Sequence, residues 1–264
     1  MIKKWMTIAV ALVIIGAAGL GVEFTRGNLL DRITAQVPYS KTVELEMAGI
    51  DSLVIHASTG NMRVAPYSGS KLLVRVHGTV SKKTINDIQL QAAPAAGNPS
   101  QAHIQFNHRS KWYVVPDNAK VAIEISVPQK EYNQLELRSS HADMDVDALT
   151  SKSVIVSGGS GDITLSNVSS SINIKTNTGD IMVQGKSLPA DMKIYSNNGD
   201  TILQLSDNPD DVTYDLMTKN GEVKFYNQSG SNHVYGMLGN GDNQLNIKSS
   251  NGDITVRVRS DKSR

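Results

Sequence analysis

The chain has 264 residues, 26 Lys plus Arg against 25 Asp plus Glu, a formal net charge of +1 at pH 7, and no cysteine. The absence of cysteine excludes disulfides, thiol catalysis, cysteine-type zinc sites and the lipidated cysteine of a bacterial lipoprotein. The balanced charge recommends no nucleic acid as a partner. Aromatics make up 5% while Gly numbers 21, which suits turn-dense β structure.

Lys3 and Lys4 precede an uncharged run from Trp5 to Val22. A basic flank before about 18 apolar residues, close to the ~20 that span a bilayer as a helix, is an export signal whose lysines stay in the cytoplasm. Ala17, Ala18, Gly19 and Gly21 offer a cleavage site, but Glu23 and Arg26 follow at once, so a retained anchor is favoured. Residues 1–22 are therefore expected to be a signal-anchor transmembrane helix. The protein then sits at the cell membrane, single-pass, with its C-terminal domain outside the cytoplasm.

Residues 23–42 read as a connector with a short helix near Asn28–Ile33, ended by Pro38. Strands are expected from Val43-x-Leu45-x-Met47, with a first rung at 50–65 and a further strand at Leu73–Val76. Residues 81–101 are the least patterned, and the Ala/Pro/Gly-rich stretch Gln89–Gln101 reads as an exposed loop. Strands return at Ile104-x-Phe106, Tyr113–Val115 and Val121-x-Ile123-x-Ile125-x-Val127, before Pro128.

From about residue 133 one template recurs: apolar-x-apolar-x-small-x-x-Gly-Asp-apolar-x-apolar. Its clearest copies are Ile172-x-Ile174-x-Thr176-x-x-Gly179-Asp180-Ile181-x-Val183 and Leu245-x-Ile247-x-Ser249-x-x-Gly252-Asp253-Ile254-x-Val256. Further copies centre on Gly161, Gly199 and Gly221, and degenerate ones on Ala142 and Gly60. Alternation puts the apolar positions on one face of each strand. The small residue (Thr176, Ser196, Thr218, Ser249) leaves room at a corner, and Gly supplies φ > 0 there. Motif glycines lie 18 (161 to 179), 20 (179 to 199) and 22 (199 to 221) residues apart. Units of about 20 residues that cannot bury an apolar face alone indicate a solenoid.

The expected fold is therefore all-β: a single-stack β-solenoid over 43–264, with degenerate rungs in 43–130 and regular Gly-Asp repeats in 131–259. About ten rungs at ~4.8 Å make a rod on the order of 50 Å long. The 31 residues from Gly221 to Gly252 are expected to hold an extra hairpin with its turn at Gly239–Asp242. The connector and the charged tail Arg257–Arg264 are the expected end caps.

An N-terminal membrane segment, a first rung of Ile-x-Ile-x-x-x-x-Gly type, Val127-Pro128 ahead of the repeats and serial Asn/Ser/Thr-Gly-Asp-Ile units occur together here. Over residues 43–259 this resembles the bacterial putative-adhesin family of unknown function that includes LiaG-like proteins of Gram-positive bacteria. The resemblance implies a membrane-anchored, extracytoplasmic β-solenoid, in some members encoded beside envelope stress-response systems. It implies no catalytic residues. Asn61 in place of the motif Asp and Ala142 in place of the Gly are departures from the pattern.

If the rungs stack in register, Asp162, Asp180, Asp200, Glu222 and Asp253 form a column about 5 Å apart, where a hard cation such as Ca²⁺ would relieve repulsion. The favoured reading is that each carboxylate accepts backbone hydrogen bonds at its own turn. Gly158–Asp162 differs from calcium-binding nonapeptide repeats in period and in the place of its Asp. His56, His77, His103 and His108 show no convergent metal-ligand pattern. His108-Arg109-Ser110-Lys111-Trp112-Tyr113 is the one basic-aromatic cluster, weighed as a strand end against a contact for an anionic polymer. No Gly-x-Ser-x-Gly elbow occurs. Ser169–Ser171 reads as a turn, and Asp143/Asp145 and Asp210/Asp211 fit loops better than a glycosidase pair. No catalytic, cofactor-binding or metal residue is assigned, no cofactor is expected, and the protein is not expected to be an enzyme.

The leading functional expectation is a non-catalytic, membrane-anchored surface protein, an interaction or scaffold module of the envelope or its stress response. Its partners would be the bilayer, through the N-terminal helix, and a membrane protein or cell-wall polymer. The alternative is an adhesin or wall-polymer-binding protein; a polysaccharide-active β-helix enzyme ranks below both, since Trp112 is the only Trp outside the membrane segment.

Overall fold

The computed structural model describes residues 35–82, 84–108 and 120–258. The expected transmembrane helix, the helix near 28–33, the strand at 113–115 and the tail beyond 258 lie outside them. Among the described residues no helix is long and apolar enough to cross a membrane.

In chain order the strands are β1 Gln36–Glu46, β2 Ser52–Tyr67, β3 Lys71–Ser81, β4 Ile88–Ala95, β5 Asn98–His108, β6 Lys120–Pro128, β7 Tyr132–Asp147, β8 Thr150–Ser160, β9 Ile163–Ser166 and β10 Ser169–Thr178. They continue as β11 Ile181–Gly185, β12 Asp191–Asn198, β13 Thr201–Leu205, β14 Val212–Asn220, β15 Val223–Phe225, β16 Gln228–Gly230, β17 His233–Leu238, β18 Asn243–Asn251 and β19 Ile254–Val258. All belong to one sheet. A rung is a strand, a corner and a second strand, as in β10–β11. In β2 and β7 a single bent strand of 16 residues passes through the corner. Stacking the rungs gives two arms, each a parallel sheet, with their inner faces turned into one core.

Alternation dictates that core. Along the first arm the register aligns Ile104, Ile55, Leu137, Val156, Ile174, Ile194, Ile247 and Leu216. Along the second it aligns Ile125, Val64, Val146, Leu165, Val183, Leu203, Val256 and Phe225. None of the sixteen is more than 3% exposed. Burying each side chain contributes roughly 1.5–3 kcal/mol, so one apolar column of this kind is a main source of stability.

Stack order departs from chain order at both ends. The rung made by β5 and β6 lies outside β2, which is sandwiched between it and β7. At the other end β18–β19 inserts between β12–β13 and β14–β15. The stack therefore reads 101–108 with 120–128, 52–67, 132–147, 150–166, 169–185, 191–205, 243–258, 212–225.

Antiparallel strands close both ends. β4 lies on β5, and β3 on β6 with β1 beyond it. At the far end β17 lies on β14 and β16 on β15. The first arm is thus ten strands deep (β4-β5-β2-β7-β8-β10-β12-β18-β14-β17), on the order of 45 Å. Eight of those layers are parallel rungs, not ten.

Several segments differ from their expected form. Gln89–Gln101 is no loop: Ile88 and Leu90 alternate into the core, at 9% and 4% exposure, and the segment forms the β4–β5 hairpin. Pro94 is tolerated because β4 is an edge strand with only one neighbour to bond. Strand β1 likewise begins at Gln36, inside the expected connector, with Pro38 on an edge. The Gly239–Asp242 turn joins no hairpin. It carries the chain across the end of β14, from β17 on one side to β18 on the other. Ser169–Ser171 starts β10 rather than a turn, and Ser170 Oγ shares a hydrogen bond with Ser151 Oγ at 2.9 Å.

Tyr132 opens β7 at 1% exposure, and its hydroxyl donates to the Pro128 carbonyl at 2.8 Å. Burial, with a smaller contribution from Tyr67, pushes its pKa up to about 12 from 10.0. The neutral phenol is the form the fold holds, so its stabilisation is full below pH 10 and is lost as pH rises toward 12. Tyr132→Phe is expected to cost about 1 kcal/mol at pH 7. It should also flatten the decline in stability between pH 10 and 12, as read from urea unfolding at each pH.

Candidate functional site

The corners carry the densest recurring chemistry. The small inner position forms one column: Ala57, Ser139, Gly158, Thr176, Ser196, Ser249 and Thr218. Space there is tight, since a Cβ on Gly158 would lie 3.0 Å from Thr176 Oγ1. Two hydroxyls brace the turn: Ser139 Oγ accepts from the Ala142 N–H at 2.6 Å, and Thr218 Oγ1 donates to the Gly252 carbonyl of the next rung at 2.9 Å.

The motif glycines are held at φ +124° to +154° (Gly161, Gly179, Gly199, Gly221, Gly252). Each faces the carbonyl oxygen of the preceding corner, and a Cβ on Gly179 would sit 2.1 Å from Gly161 O. Glycine is therefore required twice, for the turn and for the approach of stacked corners. Ala142 fits because β7 runs through its corner as continuous strand without positive φ.

The acidic column exists, and its bonding is between rungs rather than within turns. Asp143 Oδ1 accepts the Asp162 N–H at 2.9 Å, Asp162 that of Asp180, Asp180 that of Asp200, Asp200 that of Asp253, and Asp253 that of Glu222, each at 2.8 Å. Stack order thus runs 200, 253, 222, and Asp143 joins a column that the repeat pattern had started at Asp162. Each backbone N–H gives one aspartate a charge-assisted hydrogen bond, and Lys224 lies 2.9 Å from Glu222. A parallel asparagine ladder flanks it: Asn251 Nδ2 donates to Asn198 Oδ1 at 2.9 Å and Asn220 Nδ2 to Asn251 Oδ1 at 2.7 Å. Among the described residues no three His, Asp or Glu side chains are grouped to hold a metal ion. Asp180→Ala is expected to cost about 1 kcal/mol by freeing the Asp200 N–H, and Asp180→Asn clearly less, because its amide oxygen still accepts. Thermal unfolding of the two variants side by side checks this.

The remaining candidate residues are dispersed. His103 Nε2 lies 3.1 Å from Gln101, His77 lies 3.2 Å from Glu124, and His56 is half-buried on the outer face of β2. Of the basic-aromatic cluster only His108 is described, and its N–H donates to Ser58 Oγ. Asp143 and Asp145 lie in strand β7, not in a loop, and Asp145 meets Arg63 at 3.7 Å. Asp210 and Asp211 do lie in the connection before β14, and Asp211 Oδ1 accepts the Asp242 N–H at 3.1 Å. A cleft of about 480 Å³ opens between the Asn208–Pro209 turn, Phe225–Gln228, Leu238 and Arg257. It pairs no nucleophile with a base.

What sequence patterning did not reveal is the outer face of the first arm near β17. Tyr235 and Met237 are 73% and 61% exposed there, with Met217 on the adjacent β14 and Tyr195 on β12, beyond β18. The alternating pattern of β17 was hidden by its glycine and by its place in the long spacer.

These features define the class: an all-β, solenoid-like sheet whose parallel rungs are pinned at Gly-Asp corners and closed by antiparallel strands. The chain belongs to the Toastrack DUF4097 family, whose pattern it matches over residues 24–257. Its fold is similar to that of a putative cell adhesion protein from Clostridium sporogenes, at 13% identity and a TM-score of 0.53, covering 84% of this chain and 100% of that one. Looser likenesses are to a putative adhesin from Bacteroides fragilis (11% identity, TM-score 0.38, 86% of this chain and 99% of that one) and one from Parabacteroides merdae (8%, 0.34, 84% and 96%). No curated protein matches the chain.

Proposed function

We propose that this protein is a non-catalytic module of the bacterial cell surface, anchored by residues 1–22, that offers the sides of a rigid solenoid as an interaction or scaffold surface. The observation that carries the reading is the unbroken corner ladder. Eight rungs are tied by apolar columns, and six of them also by carboxylate–amide bonds at the corners, while outward side chains spread along the faces instead of converging. Such a body suits binding over an extended surface. The charged flank Lys3–Lys4 and the apolar run after it support an anchor with the solenoid outside the membrane, and the resemblance to LiaG-like proteins supports a Gram-positive envelope with a membrane protein of its stress system as partner. A second reading, adhesin or wall-polymer binding, is favoured by the likeness to a putative cell adhesion protein.

The full chain expressed in a Gram-positive host should remain with membranes after a high-salt wash, and external protease added to protoplasts should digest the solenoid. Release by salt, or protection from protease, would overturn the anchored reading. Co-sedimentation with purified cell walls, with and without a chelator, separates the two partners: retention selects wall polymer, and no retention selects a membrane protein.

A further inference from the structure

Tyr195, Met217, Tyr235 and Met237 are the large apolar side chains that the described residues leave exposed. Met217, Tyr235 and Met237 lie on the adjacent β14 and β17, and Tyr195 is set off from Met217 by Lys248 of β18. All four stand on the outer face of the first arm, on β12, β14 and β17, and the two most exposed are on β17 itself. β17 bonds β14 along one edge, and no described strand pairs with its other edge.

The sheet's other edges are blunted. β1 carries Pro38, Lys41, Glu44 and Glu46; β4 carries Pro94; β16 is three residues long. Prolines, charges and short length are the usual protection of an edge strand. β17, His-Val-Tyr-Gly-Met-Leu over His233–Leu238, has no proline, no lysine and no acid. An open edge continuous with an exposed Tyr/Met patch has the composition of an interface core.

We propose that β17 pairs antiparallel with β17 of a second copy of this chain, about a two-fold axis at Gly236. Opposed residues in an antiparallel pair project to the same face, so the register must set outward residues against outward ones. Centring on Gly236 does this and uses the whole strand. It opposes Tyr235 to Met237 twice, a favourable sulfur–aromatic pairing, and Val234 to Leu238 twice. His233 of one copy falls opposite Gly239 of the other, at the turn that carries Asp242 and lies against Asp210 and Asp211. The one basic side chain of β17, 2.8 Å from Asp215, thus stands beside an acidic turn at each end of the seam. The register is therefore self-complementary in residue type, as an isologous interface requires. The pairing continues the first arm from one molecule into the next.

The native chain has no cysteine, so engineered cysteines report the register directly. Directly opposed residues in this seam have Cβ atoms about 5 Å apart, whereas 235–235 and 237–237 are diagonal and too far for a disulfide. Full chain in mild non-ionic detergent, as Tyr235→Cys and Met237→Cys variants, is oxidised separately and mixed. Covalent dimer in the mixture, at least about five-fold above either variant alone, is the expected result. In parallel, Met237→Lys in the full chain should weaken dimerisation at least about 10-fold in sedimentation velocity, with its melting temperature matching the native chain's when both are diluted to monomer, because the side chain is exposed in the single copy. A native chain that sediments as a monomer overturns the proposal, as does an oligomer indifferent to Met237→Lys or cross-linking equal in single variants and mixture. The monomer result would leave β17 open to a strand of another protein.

Discussion

Gly179→Ala is expected to destabilise the solenoid by about 4 kcal/mol. Two costs add at this corner. The backbone sits at φ +125°, which an L side chain rarely adopts, and holding a non-glycine residue there costs about 1–3 kcal/mol. The new Cβ would also lie 2.1 Å from Gly161 O and 2.6 Å from its carbon. Those are backbone atoms of the neighbouring corner, so relief means spreading two rungs, and overpacking of this kind costs about 1–3 kcal/mol. Spreading them also stretches the Asp162–Asp180 carboxylate–amide bond. Gly97→Ala separates the two costs, because Gly97 has φ +84° in the β4–β5 turn and nothing within 4 Å of a built Cβ. That control is expected to lose only about 1–2 kcal/mol. Urea unfolding of both variants gives the test: equal losses would mean that the corner contact contributes nothing beyond backbone strain.

That contrast shows how the sequence was legible. The Gly, the small inner residue and the alternating apolar positions recur at fixed places, and each does locally what its chemistry predicts. Ile172, Ile174, Ile181 and Val183 are buried, Thr176 fills the corner, and Gly179 turns it. The Asp column was visible as a column, but the direction of its bonds was not. A carboxylate at a turn can reach its own backbone or the next rung's, and only the rung spacing decides between them.

Two other kinds of information were missing. Composition misled at Gln89–Gln101, where Ala, Pro and Gly outweighed the weak alternation of Ile88, Leu90 and Ala92. That segment is held as a strand by tertiary pairing with β5 rather than by its own propensity. Stack order was also illegible, because every rung presents the same inward pattern to its neighbours. Nothing in Leu245–Val256 distinguishes a place beside Thr218 from a place between Ser196 and Thr218. The long spacer between Gly221 and Gly252 was the available signal. An out-and-back excursion through β16 and β17 is what leaves a slot for the next rung.

The inserted rung leads to the other large effect. A chain ending at Gly239 should lose the order of residues 212–238 as well as the rung that is removed. In a solenoid stacked in chain order, such a cut would shorten the rod by its last layer and leave the layer before it in place. Here β18 bonds β12 on one side and β14 on the other, and β19 does the same for β13 and β15. Without them β14–β15 has no parallel neighbour, and Leu216, Val223 and Phe225, each at most 2% exposed, lose the face they pack on. The Asp253 acceptor for the Glu222 N–H and the Thr218–Gly252 bond also go. What remains of that end is β14 with β17 and β15 with β16, and isolated two-stranded hairpins are marginal in water. Rejoining Ser196 directly to Thr218 would have to recreate a corner contact now made by Gly252 with Gly199 and Gly221. Hydrogen exchange is the direct readout. Amides of 212–225 are expected to exchange at rates near those of an unfolded chain in the truncated protein, while those of 169–185 stay protected. Protection retained across 212–225 would mean that β14–β15 can dock on β12–β13 unaided, and that the inserted rung is an addition to the stack rather than its lock.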